Sequence, residues 1–193
     1  MARPRLVSDD AILAATRQVL AELGPVRLTL AAVGSRVGLA PPTLMQRFGS
    51  KRGLLLASAA RSPSLVLRAA EKAEDRNASP LAALRDFAVS AVANIKHREQ
   101  LGYGFGFDVA DPEFRKHAVA YSAAIVDSCA RLYQSAVEAG ELRADTDVPA
   151  LARHTLVCFT GALHVWSVNG WGSLPNFLTA QLDLMLAPYS SEE

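Results

Sequence analysis

The chain has 193 residues, half of them apolar and a fifth charged, enough to bury the core of one large domain or two small ones. Its 34 alanines and 7% aromatic content favour helices, while two cysteines (Cys129 and Cys158) without a C-x-x-C pair exclude a disulfide-rich secreted scaffold and a cysteine-based zinc finger. The net charge of +1 hides an asymmetry, +6 over residues 1–62 and −5 over residues 63–193, which suggests that only the front meets a polyanion.

No apolar run follows Met1 to Arg5, so a secretory signal is not expected. Ser8 is placed to cap a first helix, with Asp9 and Asp10 at the positive end of its dipole. Ile12, Ala15, Val19, Leu20 and Leu23 share one helical stripe, with Thr16 as its polar member. Gly24 and Pro25 stop that helix. Thr29 caps a short second helix with Leu30, Val33 and Val37 inward, and Gly38 ends it. Pro41 and Pro42 suit the first turn of a third helix, on which Leu44 and Phe48 lie four apart before Gly49. Ser50 caps a fourth, containing Leu54 and Leu55.

Ser62-Pro63, Ser79-Pro80 and Asp111-Pro112 each read as a cap followed by proline, the first alternatively as a kink. After Asp111, Phe114, Ala118, Tyr121, Ile125, Cys129, Leu132 and Ala136 keep helical spacing up to Gly140. Asp145 to Pro149 begins another helix, and the last runs from about Ser173 to Leu186. Nothing alternates as a strand. The 29 residues from His154 to Leu182 carry no Asp, Glu, Lys or Arg, but their apolar part, Thr155 to Val168, is only 14 long. A spanning helix needs about 20 residues. A buried or interface helix of a soluble cytoplasmic protein is expected.

Residues 29–48 have the pattern of a helix-turn-helix: two short helices, Gly38 for a left-handed turn, Gly34 where the helices approach, and Val33, Val37, Leu39 and Leu44 to pin the pair to the first helix. The stretch Thr29-Leu-Ala-Ala-Val-Gly-Ser-Arg-Val-Gly-Leu-Ala-Pro-Pro-Thr-Leu-Met-Gln-Arg-Phe-Gly-Ser-Lys-Arg-Gly-Leu-Leu55 resembles the N-terminal domain of TetR-family transcriptional regulators. The match reaches back through Ala14-Ala15, Leu20 and Glu22-Leu-Gly24, and covers roughly residues 8–58.

The resemblance implies an all-α homodimer. A DNA-binding domain over residues 1–52 would precede an effector-binding and dimerisation domain over residues 53–193. It also implies roles in DNA contact. Thr29 would meet a phosphate through its hydroxyl or the helix N-terminus. Pro42 would pack on a thymine methyl, and Thr43 would reach a phosphate or base edge. Gln46 would read a base, since its amide pairs bidentately with adenine. Lys51 would grip a phosphate. Two positions depart from the family, which usually has Tyr at Met45 and an aromatic residue or His at Arg47. Arg47 would then replace the missing tyrosine contact or read guanine. Arg3 and Arg5 are candidates for a basic arm.

Residues 63–193 hold no phosphate-binding loop, H-E-x-x-H or nucleophile elbow, and no cofactor or metal is expected. Gly102-Tyr-Gly-Phe-Gly-Phe107 imitates a dinucleotide fingerprint, but no strand precedes it and its third glycine is misplaced. The resemblance places this segment beside an effector pocket. His154 and Cys158 share a helix face, too few ligands for a metal. Among the aromatic and polar side chains of this half, Tyr103, Phe107, His117, Tyr121 and Phe159 are the pocket candidates, and spacing alone does not separate pocket from core. The nearly all-round apolar helix at 150–168 and the stripe Leu174, Leu178, Leu182 and Met185 need a partner or a central position. In the resembling family the last two helices, here about 148–187, pair with their twins. The expected protein is a small-molecule-released repressor of a palindromic operator, with no membrane partner. Two other classes stay open: an enzyme with a helical pocket, and a helical dimer with a vestigial helix-turn-helix that sequesters a ligand or binds protein.

Overall fold

A computed structural model describes residues 7–93, 95, 97, 98 and 110–191. Among them are eight α-helices and no strand: α1 (Asp9–Arg27), α2 (Leu30–Val37), α3 (Pro41–Phe48), α4 (Lys51–Arg76), α5 (Pro80–Val92), α6 (Pro112–Glu138), α7 (Val148–Asn169) and α8 (Leu174–Leu186). The all-α architecture follows from the composition. None of these helices is long and apolar enough to cross a membrane.

Capping chemistry sets most boundaries, at Ser8, Thr29, Ser50 and Ser79 as read from the sequence and at Asp147 and Ser173 as well. Ser8, Thr29, Ser79, Asp147 and Ser173 each accept the N–H three residues on, satisfying a donor that helix geometry leaves unpaired. Ser50 does the same for Gly53 at 2.9 Å. At Gly24 the backbone leaves the helical region (φ 72°, ψ 171°), and Pro25 then starts a last turn that ends at Arg27. Ser62-Pro63 begins no new helix: Pro63 lies inside α4, which leaves the alternative of a proline within one helix. Proline forfeits the bond to the carbonyl of residue 59, but Ala59 and Val66 on either side are buried, and that packing holds the helix together.

The described residues form two compact units, the first from residues 7–62 and 110–118, the second from residues 63–98 and 119–191. The first is built on Ile12, Leu13, Ala15, Val19, Leu28, Val33, Leu44 and Leu54, drawn from α1 to α4. Fully burying a leucine or isoleucine contributes about 1.5–3 kcal/mol, so Ile12, Leu28, Leu44 and Leu54, all fully buried, are the largest contributors in so small a core. Thr16 is fully buried, and its hydroxyl donates to the Ile12 carbonyl at 2.8 Å. That bond is what makes a polar residue tolerable on the stripe.

The second unit has two clusters. The larger joins Val66, Ala70, Leu84, Phe87, Leu132, Tyr133, Leu151 and Leu186, among others. The smaller joins Val92, Ala162, Leu163, Trp166, Leu174 and Leu178. α8 packs on α7 and α5. Its buried stripe is Leu174, Leu178, Leu182 and Leu186, with Met185 only partly covered. Tyr133 is fully buried beside Thr155, 2.6 Å away. The Thr155 proton goes to the Leu151 carbonyl, so the tyrosine hydroxyl is the donor of the pair.

Candidate DNA-binding surface

The turn between α2 and α3 is a backbone device. Gly38 sits at φ 70°, ψ 31°, a left-handed conformation that other residues adopt only with strain. The Leu39 N–H returns to the Gly34 carbonyl at 2.9 Å. A Cβ on Gly34 would overlap the Leu39 carbonyl oxygen. The two glycines therefore fix how closely and at what angle α3 leaves α2. Leu44, fully buried, then fastens α3 to the core.

With Leu44 inward, the opposite face of α3 is bare. Pro42, Met45 and Gln46 are exposed and lie three and four residues apart, so they share one face. Met45 is 49% exposed, unusual for a large apolar side chain. Thr43 is half-buried, and its N–H bonds to the Ala40 carbonyl. Thr29 is exposed; its hydroxyl oxygen accepts the Ala32 N–H at 3.1 Å and still carries a proton to donate. Lys51, in the first turn of α4, places Nζ 3.2 Å from the Val26 carbonyl.

Arg47 goes elsewhere. It is on α3 but turns toward the start of α1, where Nη1 donates to the Val7 carbonyl at 2.7 Å and Nη2 lies 2.5 Å from the Asp9 carboxylate. Only a quarter of its side chain is exposed.

All three acids of residues 1–62 hold arginines of that same stretch: Asp9 with Arg47, Asp10 with Arg61, and Glu22 with Arg36. The surplus of cations is what gives the stretch its +6. Arg52 was not singled out from the sequence. It bridges Asp111 at 2.6 Å and Glu113 at 2.5 Å, with its guanidinium 5.8 Å from the centre of the Phe114 ring. The Arg52 hydrogen bonds hold the Asp111 carboxyl below the usual carboxylate range. A separation of 59 residues leaves no local signal for such a contact.

Among the described residues, Tyr121 and Phe159 are the two pocket candidates that pack on an apolar cluster, each on a different one. Tyr103 and Phe107, with the rest of the glycine-aromatic segment, lie outside the described residues, as do Arg3 and Arg5. His117 is half-buried on α6. Tyr121 packs on the larger cluster of the second unit, whereas Phe159 packs on the smaller one beside Trp166. Burial raises the Tyr121 hydroxyl pKa above its ordinary value. His154 is exposed, and the half-buried Cys158 has its Sγ 4.0 Å from the Gln181 carbonyl. Among the described residues no group of three or more His, Cys, Asp or Glu is placed to hold a metal ion.

Two family models match the chain. Residues 12–58 match the model for bacterial regulatory proteins of the tetR family, and residues 101–172 match a tetracyclin repressor-like C-terminal domain. The fold is similar to that of SmeT, the repressor of the multidrug efflux pump SmeDEF in Stenotrophomonas maltophilia. The TM-score is 0.69 at 23% identity, over 97% of this chain and 92% of that one. It is also similar to the regulatory protein TetR from Rhodobacter sphaeroides, with TM-score 0.73 and 22% identity over 93% and 97% of the two chains. SmeT in complex with triclosan gives TM-score 0.70 at 22% identity, over 95% and 92%. No curated protein matches by sequence. The chain belongs to the TetR family of bacterial transcription regulators, which are helix-turn-helix DNA-binding proteins and not enzymes.

Proposed function

We propose that this protein is a cytoplasmic repressor that binds a palindromic operator as a homodimer and releases it when a small molecule binds. The observation that carries the reading is α3: a helix anchored by a buried leucine whose outer face has Pro42, Met45 and Gln46 and no internal partner for them in the core. In a helix-turn-helix that face enters the major groove. Residues 1–52 serve DNA and residues 53–193 the effector and the twin subunit. Gln46 reads adenine, Met45 and Pro42 offer apolar contact to thymine methyls, Thr43 serves a phosphate or base edge, and Thr29 and Lys51 take phosphates. Tyr103, Phe107, His117, Tyr121 and Phe159 are the proposed effector-contact residues, and the SmeT–triclosan complex supports a drug-sized ligand.

Dimerisation is supported by α7 and α8. Val157 (67% exposed), Gly161, Val165 and Val168 (63% exposed) form a stripe at helical spacing on α7, and Leu184 on α8 is 70% exposed. Nothing lies within 4 Å of a Cβ placed on Gly161, which leaves room for the helix of a second copy. A stripe of exposed valines is apolar surface that association would remove from water. Twofold pairing would set two recognition helices on half-sites a whole number of DNA turns apart. The effector acts by binding the DNA-incompatible conformation better than the compatible one.

The test is fluorescence anisotropy with a duplex enriched from random DNA, titrated with salt against a scrambled duplex. Selective binding with a steep salt slope and a palindromic site is expected. Equal, weak binding to both duplexes refutes the reading.

A further inference from the structure

An arginine on a recognition helix is ordinarily counted as a DNA contact, because guanidinium groups suit both phosphate and guanine. Arg47 is differently employed. Both of its terminal nitrogens are engaged, one by the Val7 carbonyl, 40 residues away in sequence, and one by Asp9 in the first turn of α1. Resting on the operator-binding reading above, we infer that Arg47 is a positioning residue that clamps α3 to the start of α1, and that Asp9 withholds its charge from DNA.

The geometry gives each partner a reason to be there. The Val7 carbonyl precedes the α1 cap Ser8, so it stands outside the helix and no intrahelical N–H reaches it; Ser8 is the first residue whose carbonyl accepts one, from Ile12. Asp9 lies in the first turn of α1, where the helix dipole favours a carboxylate even before Arg47 is considered. Arg47 therefore completes two groups that α1 presents at its end. Because the fork is rigid and planar, two-point attachment fixes direction as well as distance. Leu44 holds α3 near its middle and Arg47 holds it one turn further on. Added to the apolar contacts of Leu44 and Phe48, this directional tie sets the inclination of the eight-residue helix, and with it the presentation of Pro42, Met45 and Gln46. Without Arg47, α3 would rest on the apolar contacts of Leu44 and Phe48, which carry no direction. The clamp thus affects discrimination between sequences, while the number of phosphates neutralised stays the same.

The experiment compares the unmodified protein with Arg47→Gln and Asp9→Asn, each first checked by circular dichroism melting. Binding is measured by anisotropy against a duplex enriched from random DNA and against a scrambled duplex, across a KCl series. Arg47→Gln is expected to keep the salt slope and to lose about fivefold in the ratio of enriched to scrambled affinity, near the lower end of what one mismatched base pair costs. Asp9→Asn frees a cation and is expected to steepen the slope by about 1 and tighten binding to the scrambled duplex. A slope flattened by about 1 in Arg47→Gln, or an unchanged slope in Asp9→Asn, overturns the inference. Should Arg47→Gln fail to fold, Asp9→Asn alone decides. If the unmodified protein enriches no duplex, it is the operator reading that fails, and a thermal double-mutant cycle still tests the clamp. A double variant as stable as Arg47→Gln alone supports it, and Tm losses that simply add overturn it.

Discussion

The first unit of the protein turns on two short helices held at set angles, the second on helices held by area. In the first, α2 and α3 have eight residues each, too short to persist alone, and their geometry depends on two glycines, a capping threonine and one buried leucine. In the second, α7 has 22 residues, and two separate clusters stabilise the element set. A surface that must match a regular duplex needs backbone angles fixed to within a narrow range. A surface that meets a twin subunit or a small ligand needs apolar area, which many sequences supply. The first unit is therefore readable residue by residue, and the second mainly as a class.

That contrast can be broken at Gly34. Gly34→Ala forces the Leu39 carbonyl to move and should cost about 3 kcal/mol, with loss of DNA binding. Both tryptophans, Trp166 and Trp171, lie in the second unit, so their fluorescence reports that unit while circular dichroism reports both. A melt in which circular dichroism drops ahead of tryptophan fluorescence is expected. Coincident, unshifted transitions would mean the glycine is not the geometric control claimed. Leu163→Ala, in the second unit, should cost a similar amount, about 3 kcal/mol, through the cavity it leaves, and should shift the tryptophan transition.

Gln46→Ala should leave both transitions untouched and cost about 1–3 kcal/mol of affinity at one or two base positions, measured against single-base operator variants. A uniform loss over all sequences would argue against base reading. Tyr133→Phe should cost only about 1 kcal/mol by denaturant titration, because Thr155 keeps its bond to Leu151 and no group is stranded.

The smallest effects come from pH and salt. Burial pushes the Cys129 thiol up to about 12, and Tyr133 is raised too, chiefly by burial. Their folded values exceed their unfolded ones, so their stabilisation is complete below the usual thiol value of 9.0 and is lost as pH rises above it. Unfolding of the second unit should become easier from about pH 9 upward, while a flat urea midpoint between pH 8 and 11 would contradict this. Lys51→Ala should weaken binding to all sequences and flatten the salt slope by about 1; an unaltered slope would remove its phosphate role.

The all-α class, the caps at Ser8, Thr29, Ser79 and Ser173, and the turn glycines were set by the amino-acid sequence itself, because each depends on atoms no more than five residues apart. The helix-turn-helix belongs with them, being a run of such local devices in a fixed order. Ser62-Pro63 left a helix start and an interruption within one helix both open, because a proline signal is local, whereas the burial that carries α4 past it is not. The direction of Arg47, the bridge from Arg52 to Asp111 and the burial of Tyr133 against Thr155 were decided only in three dimensions. A long polar side chain chooses among all acceptors within its reach, and which acceptors those are is known only once distant segments have packed.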